Sequence, residues 1–140
     1  MSNHQHREPV RVRAVMKEKV DIVDGMLTVA EALEEMRHTE TKSLIVDRRH
    51  DDDEYGIVLL ADIAKQVLAR DRAPERVNVY EVMSKPVLGI DPEMDIRYCA
   101  RLFERFGLAR APVMEGRRIV GIVSYTDMVL NGLRPGEAGR

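Results

Sequence analysis

The sequence predicts an α+β fold built from two copies of one strand–helix–strand–strand–helix unit. The chain repeats itself: Val15-Met16, Leu27-Thr28-Val29-Ala30-Glu31-Ala32-Leu33-Glu34-Glu35-Met36 and Leu44-Ile45-Val46 return 67 residues on. They reappear as Val82-Met83, Met94-Asp95-Ile96-Arg97-Tyr98-Cys99-Ala100-Arg101-Leu102-Phe103 and Ala111-Pro112-Val113. A second segment, Gly56-Ile57-Val58-Leu59-Leu60-Ala61-Asp62, returns as Gly121-Ile122-Val123-Ser124-Tyr125-Thr126-Asp127. Its offset is 65, so the first copy carries two extra residues in the loop before it. The strand-like runs are short and continuously apolar, as in a sheet covered on both faces. A repeat of this period implies that neither half buries its apolar face alone.

Each element has a local reason. Val20 to Val23 and Val87 to Ile90 are the apolar runs that enter the two copies. Thr28 and Glu31 have capping-box spacing, in which hydroxyl and carboxylate satisfy exposed donors at a helix start. The helix behind them has Val29, Ala32, Leu33 and Met36 on one face, the i, i+3, i+4, i+7 pattern. In the second copy Asp95 takes the cap, Ile96, Cys99, Ala100 and Phe103 form the face, Phe106 extends it, and Gly107 is placed to stop the helix. Leu44-Ile45-Val46 and Gly56 to Leu60 read as strands, matched by Ala111 to Met114 and Arg118 to Val123. The second hairpin turns at Glu115-Gly116-Arg117, where glycine suits a positive φ. The first has a longer charged tip, Arg48 to Glu54. Closing helices start with Ile63, Ala64, Val67 and Leu68 in one copy and Met128 and Val129 in the other; Asn78 is placed to cap a short helix bearing Val79, Val82 and Met83. The expected organisation is a polar tail at 1–9, motif one at 10–68, a linker at 69–77, motif two at 78–132 and a second tail at 133–140.

Composition narrows the function. The net charge of −2 and the 4% aromatic content give no basic, base-stacking footprint for nucleic acid. A single cysteine forms no intramolecular disulfide, in keeping with a reducing compartment. No apolar run approaches the roughly 18–20 residues of a membrane helix, and the amino terminus lacks a signal-type apolar stretch. A soluble cytoplasmic protein is expected, without membrane or nucleic-acid partners.

The tandem unit with its Gly-apolar-apolar-Ser-x-x-Asp step into the last helix resembles the cystathionine-β-synthase (CBS) domain family, over roughly Val10 to Gly132. The resemblance implies two CBS motifs packed through their sheets as a stand-alone pair, often dimerising as a disc, with clefts between the motifs. It implies an adenosine ligand such as AMP, ADP, ATP, NAD or S-adenosylmethionine, and a regulatory rather than enzymatic role toward a partner protein. The alternative is a dimerising interaction module with vestigial, empty clefts.

By resemblance Asp127 would hold the ribose hydroxyls, Ser124 the ribose or phosphate, and Thr126 would assist. The chemistry is apt, since a carboxylate accepts from both ribose hydroxyls and a helix start favours phosphate oxygens. Ser124-x-x-Asp127 is equally a capping box that needs no ligand. The first copy keeps Gly56 and Asp62 but has Leu59 in place of Ser124 and Ile45 in place of Pro112. One lost bond to a charged group costs about 1.5–3 kcal/mol, roughly ten- to a hundredfold in affinity, so the Asp127 site is expected to dominate. Arg110, where the family often has a phosphate-reaching base, corresponds to Ser43 with Lys42 beside it. A solvated strand-end arginine is the other reading. Lys19-Val20 and Pro86-Val87 lie where family members contact adenine.

Other candidates carry less. Cys99 reads as a packed thiol on the helix face. His4 and His6 fall in the tail, and His50 with Asp51, Asp52, Asp53 and Glu54 reads as a solvated tip without ordered metal-ligand spacing. His38 suits the negative end of the first helix. No nucleophile–base pair is visible, so catalysis is not expected.

Overall fold

The computed structural model describes residues 8–85 and 87–134. The two compact units in it are not the two sequence copies. One gathers the chain up to Glu18 with everything from Gly89 onward; the other is Lys19–Leu88. They are called below the Asp127 unit and the Asp62 unit.

In the Asp127 unit a short helix, α1 (Val12–Val15), buries Val12 and Val15. It is tied to the segment before the next helix by Val12 N–H to the Met94 carbonyl at 2.8 Å and Ile96 N–H to the Val10 carbonyl at 2.9 Å. Helix α5 (Ile96–Phe106) starts on Asp95, whose carboxylate accepts from Arg97 N–H, and stops at Gly107 with φ 67°. That positive φ is why glycine stands there. Strands β4 (Arg110–Glu115) and β5 (Arg118–Ser124) form an antiparallel hairpin through Gly116, also at positive φ. Ile90 adds a single parallel bridge to Val113, which is all that remains of this copy's entering strand. Helix α6 (Tyr125–Gly132) follows β5 directly. Val12, Val15, Ile90, Ile96, Cys99, Phe103, Ala111, Val113, Val123 and Met128 form the core.

In the Asp62 unit β1 (Ile22–Val23) runs parallel to β2 (Ser43–Val46), which pairs antiparallel with β3 (Gly56–Leu59). All four β2 residues are buried, the apolar Leu44, Ile45 and Val46 together with Ser43. Helix α2 (Val29–Glu35) has the capping box: Glu31 N–H donates to Thr28 Oγ1 at 3.1 Å and Thr28 N–H to the Glu31 carboxylate at 2.8 Å. Helix α3 (Leu60–Ile63) continues as a π-turn over Ala64–Leu68, and α4 (Val79–Val82) follows Asn78. Its core is Val23, Val29, Ala32, Leu44, Val46, Val58, Val67, Val77, Val79 and Val82.

Each unit borrows the segment that leads the other copy. Lys17 and Ile122 exchange two backbone bonds at 2.9 Å, and Ser84 and Ile57 do the same at 2.9 and 3.0 Å. The repeated glycine permits this approach. A Cβ on Gly121 would meet the Lys17 carbonyl at 2.6 Å; one on Gly56 would meet Met83 sulfur at 2.8 Å and the Ser84 carbonyl at 3.2 Å.

Several expected faces differ. Leu33 is exposed, leaving Val29 and Ala32 as the buried stripe of α2, which ends at Glu35 before Met36. Phe106 is 57% exposed, being the last helical residue before the chain turns away at Gly107. Leu68 is 76% exposed because the π-turn, closed by Ala69 N–H to the Ala64 carbonyl at 2.8 Å, inserts an extra residue and rotates it outward. Val129 is also exposed, while Met128 is buried. The expected tail residues His4 and His6, and Pro86, lie outside the described residues.

Candidate functional site

The step from β5 into α6 puts Ser124 at the helix cap and Asp127 in its first turn. Asp127 N–H donates to Ser124 Oγ at 3.1 Å; Ser124 N–H and Oγ–H each donate to Asp127 Oδ2 at 2.9 Å. Both residues are buried, Asp127 with only 3% exposure. The other carboxylate oxygen, Oδ1, is met by the ammonium of Lys17 in an ion pair. Lys17 was not among the residues expected at the site. Its position depends on the pairing of its backbone with Ile122, a contact across more than a hundred residues. The available signal was the repeated Val-Met pair, which aligns Lys17 with Ser84.

Arg110 pairs across the hairpin with Ser124 and is half-buried. Thr126 is exposed on the first turn of α6. The β-sheet thus brings Arg110, Ser124, Asp127 and Lys17 together in one unit.

The matching step in the Asp62 unit is barer. Leu59 N–H donates to Asp62 Oδ2 at 3.0 Å. Among the described residues no donor reaches Asp62 Oδ1, and Asp62 is half-buried. Ser43, the counterpart of Arg110, pairs with Leu59 and is buried, its N–H and carbonyl both engaged with Thr41 Oγ1. Lys42 is exposed at φ 57°, with its carbonyl accepting from Leu60 N–H at 3.0 Å. Lys19 (exposed), Val20 and Val87 (both half-buried) belong to this unit rather than to the one holding Asp127.

Elsewhere the charges are structural. Asp21, buried, accepts from Arg37 and His38 N–H at 2.9 and 2.8 Å and so caps the exit of α2. The charged hairpin tip is more ordered than a solvated run. Asp53 pairs with Lys85 at 2.7 Å and accepts from Arg49 N–H, and these two interactions, Lys85 first, hold its carboxyl well below the usual range. Burial pushes the Cys99 thiol up to about 11, so at neutral pH it is a packed, protonated side chain. Among the described residues no group of three His, Cys, Asp or Glu could hold a metal ion, and no helix is long and apolar enough to cross a membrane.

Comparison with known proteins places this fold among relatives. The model of the CBS domain matches residues 12–69 and 79–132. The hexameric CBS-CP12 protein from bloom-forming cyanobacteria superposes with a TM-score of 0.82 at 37% identity, covering 86% of this chain and 70% of that one. The CBS domain pair of MJ0100, solved with 5′-methylthioadenosine and S-adenosyl-L-methionine, gives a TM-score of 0.72 at 21% identity, over 86% and 94% of the two chains. CBS domain-containing protein YhcV of Bacillus subtilis is 29% identical over 84 residues, 60% of this chain and 59% of its own. The chain spans less than two thirds of the length of the curated relatives it matches.

Proposed function

Because the chain belongs to the CBS domain family, we propose that it is a non-catalytic regulator that binds an adenosine nucleotide at the Asp127 site and signals to a partner protein. The observation that carries this reading is the convergence at one helix start of a buried carboxylate, a hydroxyl and the Lys17 ammonium, with Arg110 in register opposite Ser124 on the hairpin. A carboxylate suits a ribose diol, and the cations and helix start suit phosphates. MJ0100, of the same fold, binds adenosine-containing molecules, which supports the ligand class. AMP, ADP, ATP and NAD are the candidates. Binding acts on the partner only through a difference in affinity between two states of the module.

A homodimer belongs to the same proposal. Tyr98 and Phe106 on α5, Val129 on α6 and Leu133 just after it are exposed, an apolar display that suits a second copy.

One observation favours the rival reading, an interaction module without ligand. Asp127 and Asp62 each already accept a backbone N–H at a helix start, which is use enough for a cap. Thermal unfolding with millimolar AMP, ADP, ATP, NAD and S-adenosylmethionine separates the two. Ligand at a hundred times its Kd adds about 2.7 kcal/mol, worth roughly 8 °C for a chain of this size. No shift with any of the five leaves the interaction module standing.

A further inference from the structure

We infer that Lys17 makes the Asp127 site selective for nucleotides that carry a phosphate, and poor at binding neutral nucleosides. The inference rests on the nucleotide reading above and adds the specificity of that site.

A carboxylate offers about four acceptor directions. At Asp127, Oδ2 already takes two donors from Ser124, and Oδ1 takes the Lys17 ammonium. A ribose diol brings two O–H donors, so it must displace the lysine to bind with both. Lys17 cannot simply leave. Its backbone is fixed on both sides of the peptide by the two bonds to Ile122, and its side chain is only 33% exposed. An ammonium lifted from its carboxylate in partly dry surroundings costs free energy unless another anion takes it up.

The charge count then decides the ligand. With Lys17 on Asp127 the pair is neutral. With a neutral nucleoside on Asp127 the ammonium loses its carboxylate and gains no anion from the ligand. A nucleotide supplies, with its ribose, the phosphate that the displaced ammonium can meet. Lys17 therefore moves from carboxylate to phosphate as the ligand enters. The same reasoning disfavours 5′-methylthioadenosine, which has no anionic group.

The Asp62 unit offers an internal contrast. The aligned residue there is Ser84, and Asp62 Oδ1 meets no donor among the described residues. Nothing on that carboxylate demands an anion, so the selectivity belongs to Lys17 and not to the repeated plan.

Titration calorimetry with AMP and adenosine, on the wild type, Lys17→Met and Lys17→Arg, tests the inference. The expected result is a wild-type preference for AMP of about tenfold or more. In Lys17→Met the ratio falls to within about threefold, by weaker AMP binding and stronger adenosine binding together; Lys17→Arg keeps the preference. If Lys17→Met fails to unfold cooperatively, Lys17→Gln is read by the same criterion. Binding with a ratio unchanged on loss of the cation overturns the role of Lys17 and leaves the nucleotide reading intact. No binding of AMP or adenosine by wild type or variants overturns the inference, and the nucleotide reading falls with it if ADP, ATP and NAD also leave the thermal midpoint unmoved.

Discussion

In the Asp127 unit the residue after the repeated Val-Met pair is Lys17, and its ammonium ends on the carboxylate that opens α6. In the Asp62 unit the residue at that step is Ser84, and no cation reaches Asp62 among the described residues. The backbone around the two is nearly the same: a leading segment lies against the final strand and a glycine lets it approach. Duplication has thus kept what the fold needs and changed what a ligand would meet. The second difference lies in packing. Phe103 fills the Asp127 core and stacks edge-on against Tyr125 with ring centroids 5.3 Å apart, whereas its counterpart Met36 is only partly buried.

That packing difference makes the largest predicted effect. Phe103→Ala is expected to lose about 3–5 kcal/mol, the usual cost of emptying a fully buried aromatic site. Met36→Ala is expected to lose about half as much or less, since Met36 packs at the edge of its core and is only partly buried. Urea unfolding of both variants measures the gap, and equal losses would mean that the two cores are equivalent.

The glycines give a smaller contrast. Gly121→Ala puts a methyl 2.6 Å from a backbone carbonyl, which cannot yield without breaking the Lys17 pairing. At Gly56 the first contact is the flexible sulfur of Met83. Gly121→Ala is expected to cost about 2–3 kcal/mol and Gly56→Ala about 1. Chemical denaturation that ranks them the other way would place the tighter approach in the Asp62 unit.

The smallest effect concerns the hairpin tips. Each unit ties its tip with an ion pair: Asp53 to Lys85 at 2.7 Å in the Asp62 unit, and Glu115 to Arg13 at 2.8 Å in the Asp127 unit. The Asp53 carboxyl is depressed in the folded protein, so its contribution is complete above the unfolded value of about 3.9 and fades as pH falls through the lower native value. Asp53→Asn should therefore lower the thermal midpoint slightly and by a constant amount above about pH 5, with the difference closing below about pH 4. A midpoint difference that does not change between pH 3 and 7 would show the pair to be inert.

What could be read from the chain was whatever rests on nearby residues. The capping box at Thr28, the αL stop at Gly107, the buried stripe of Ile96, Cys99 and Phe103, and the turn at Gly116 all follow from local spacing. The tandem α+β plan followed from the repeat. Leu68 was misjudged because a π-turn changes the period on which the face was counted. The exchange of leading segments was not legible, since the bridges Lys17 to Ile122 and Ser84 to Ile57 join distant residues. The ion pair of Lys17 with Asp127 is illegible for that same reason, whereas the capping box of Ser124 and Asp127, three residues apart, is legible. The charged tip looked like solvated sequence because its partner, Lys85, lies some thirty residues downstream.

The central claim is that the Asp127 carboxylate, rather than Asp62, holds the ligand. Titrating AMP into the wild type, Asp127→Asn and Asp62→Asn, each first verified to unfold cooperatively, tests it directly. Asparagine keeps a cap acceptor but loses the charge that two ribose hydroxyls and Lys17 require. The account predicts that Asp62→Asn binds within about threefold of the wild type, whereas Asp127→Asn loses ten- to a hundredfold or more. Tight AMP binding that survives Asp127→Asn and disappears in Asp62→Asn would contradict it.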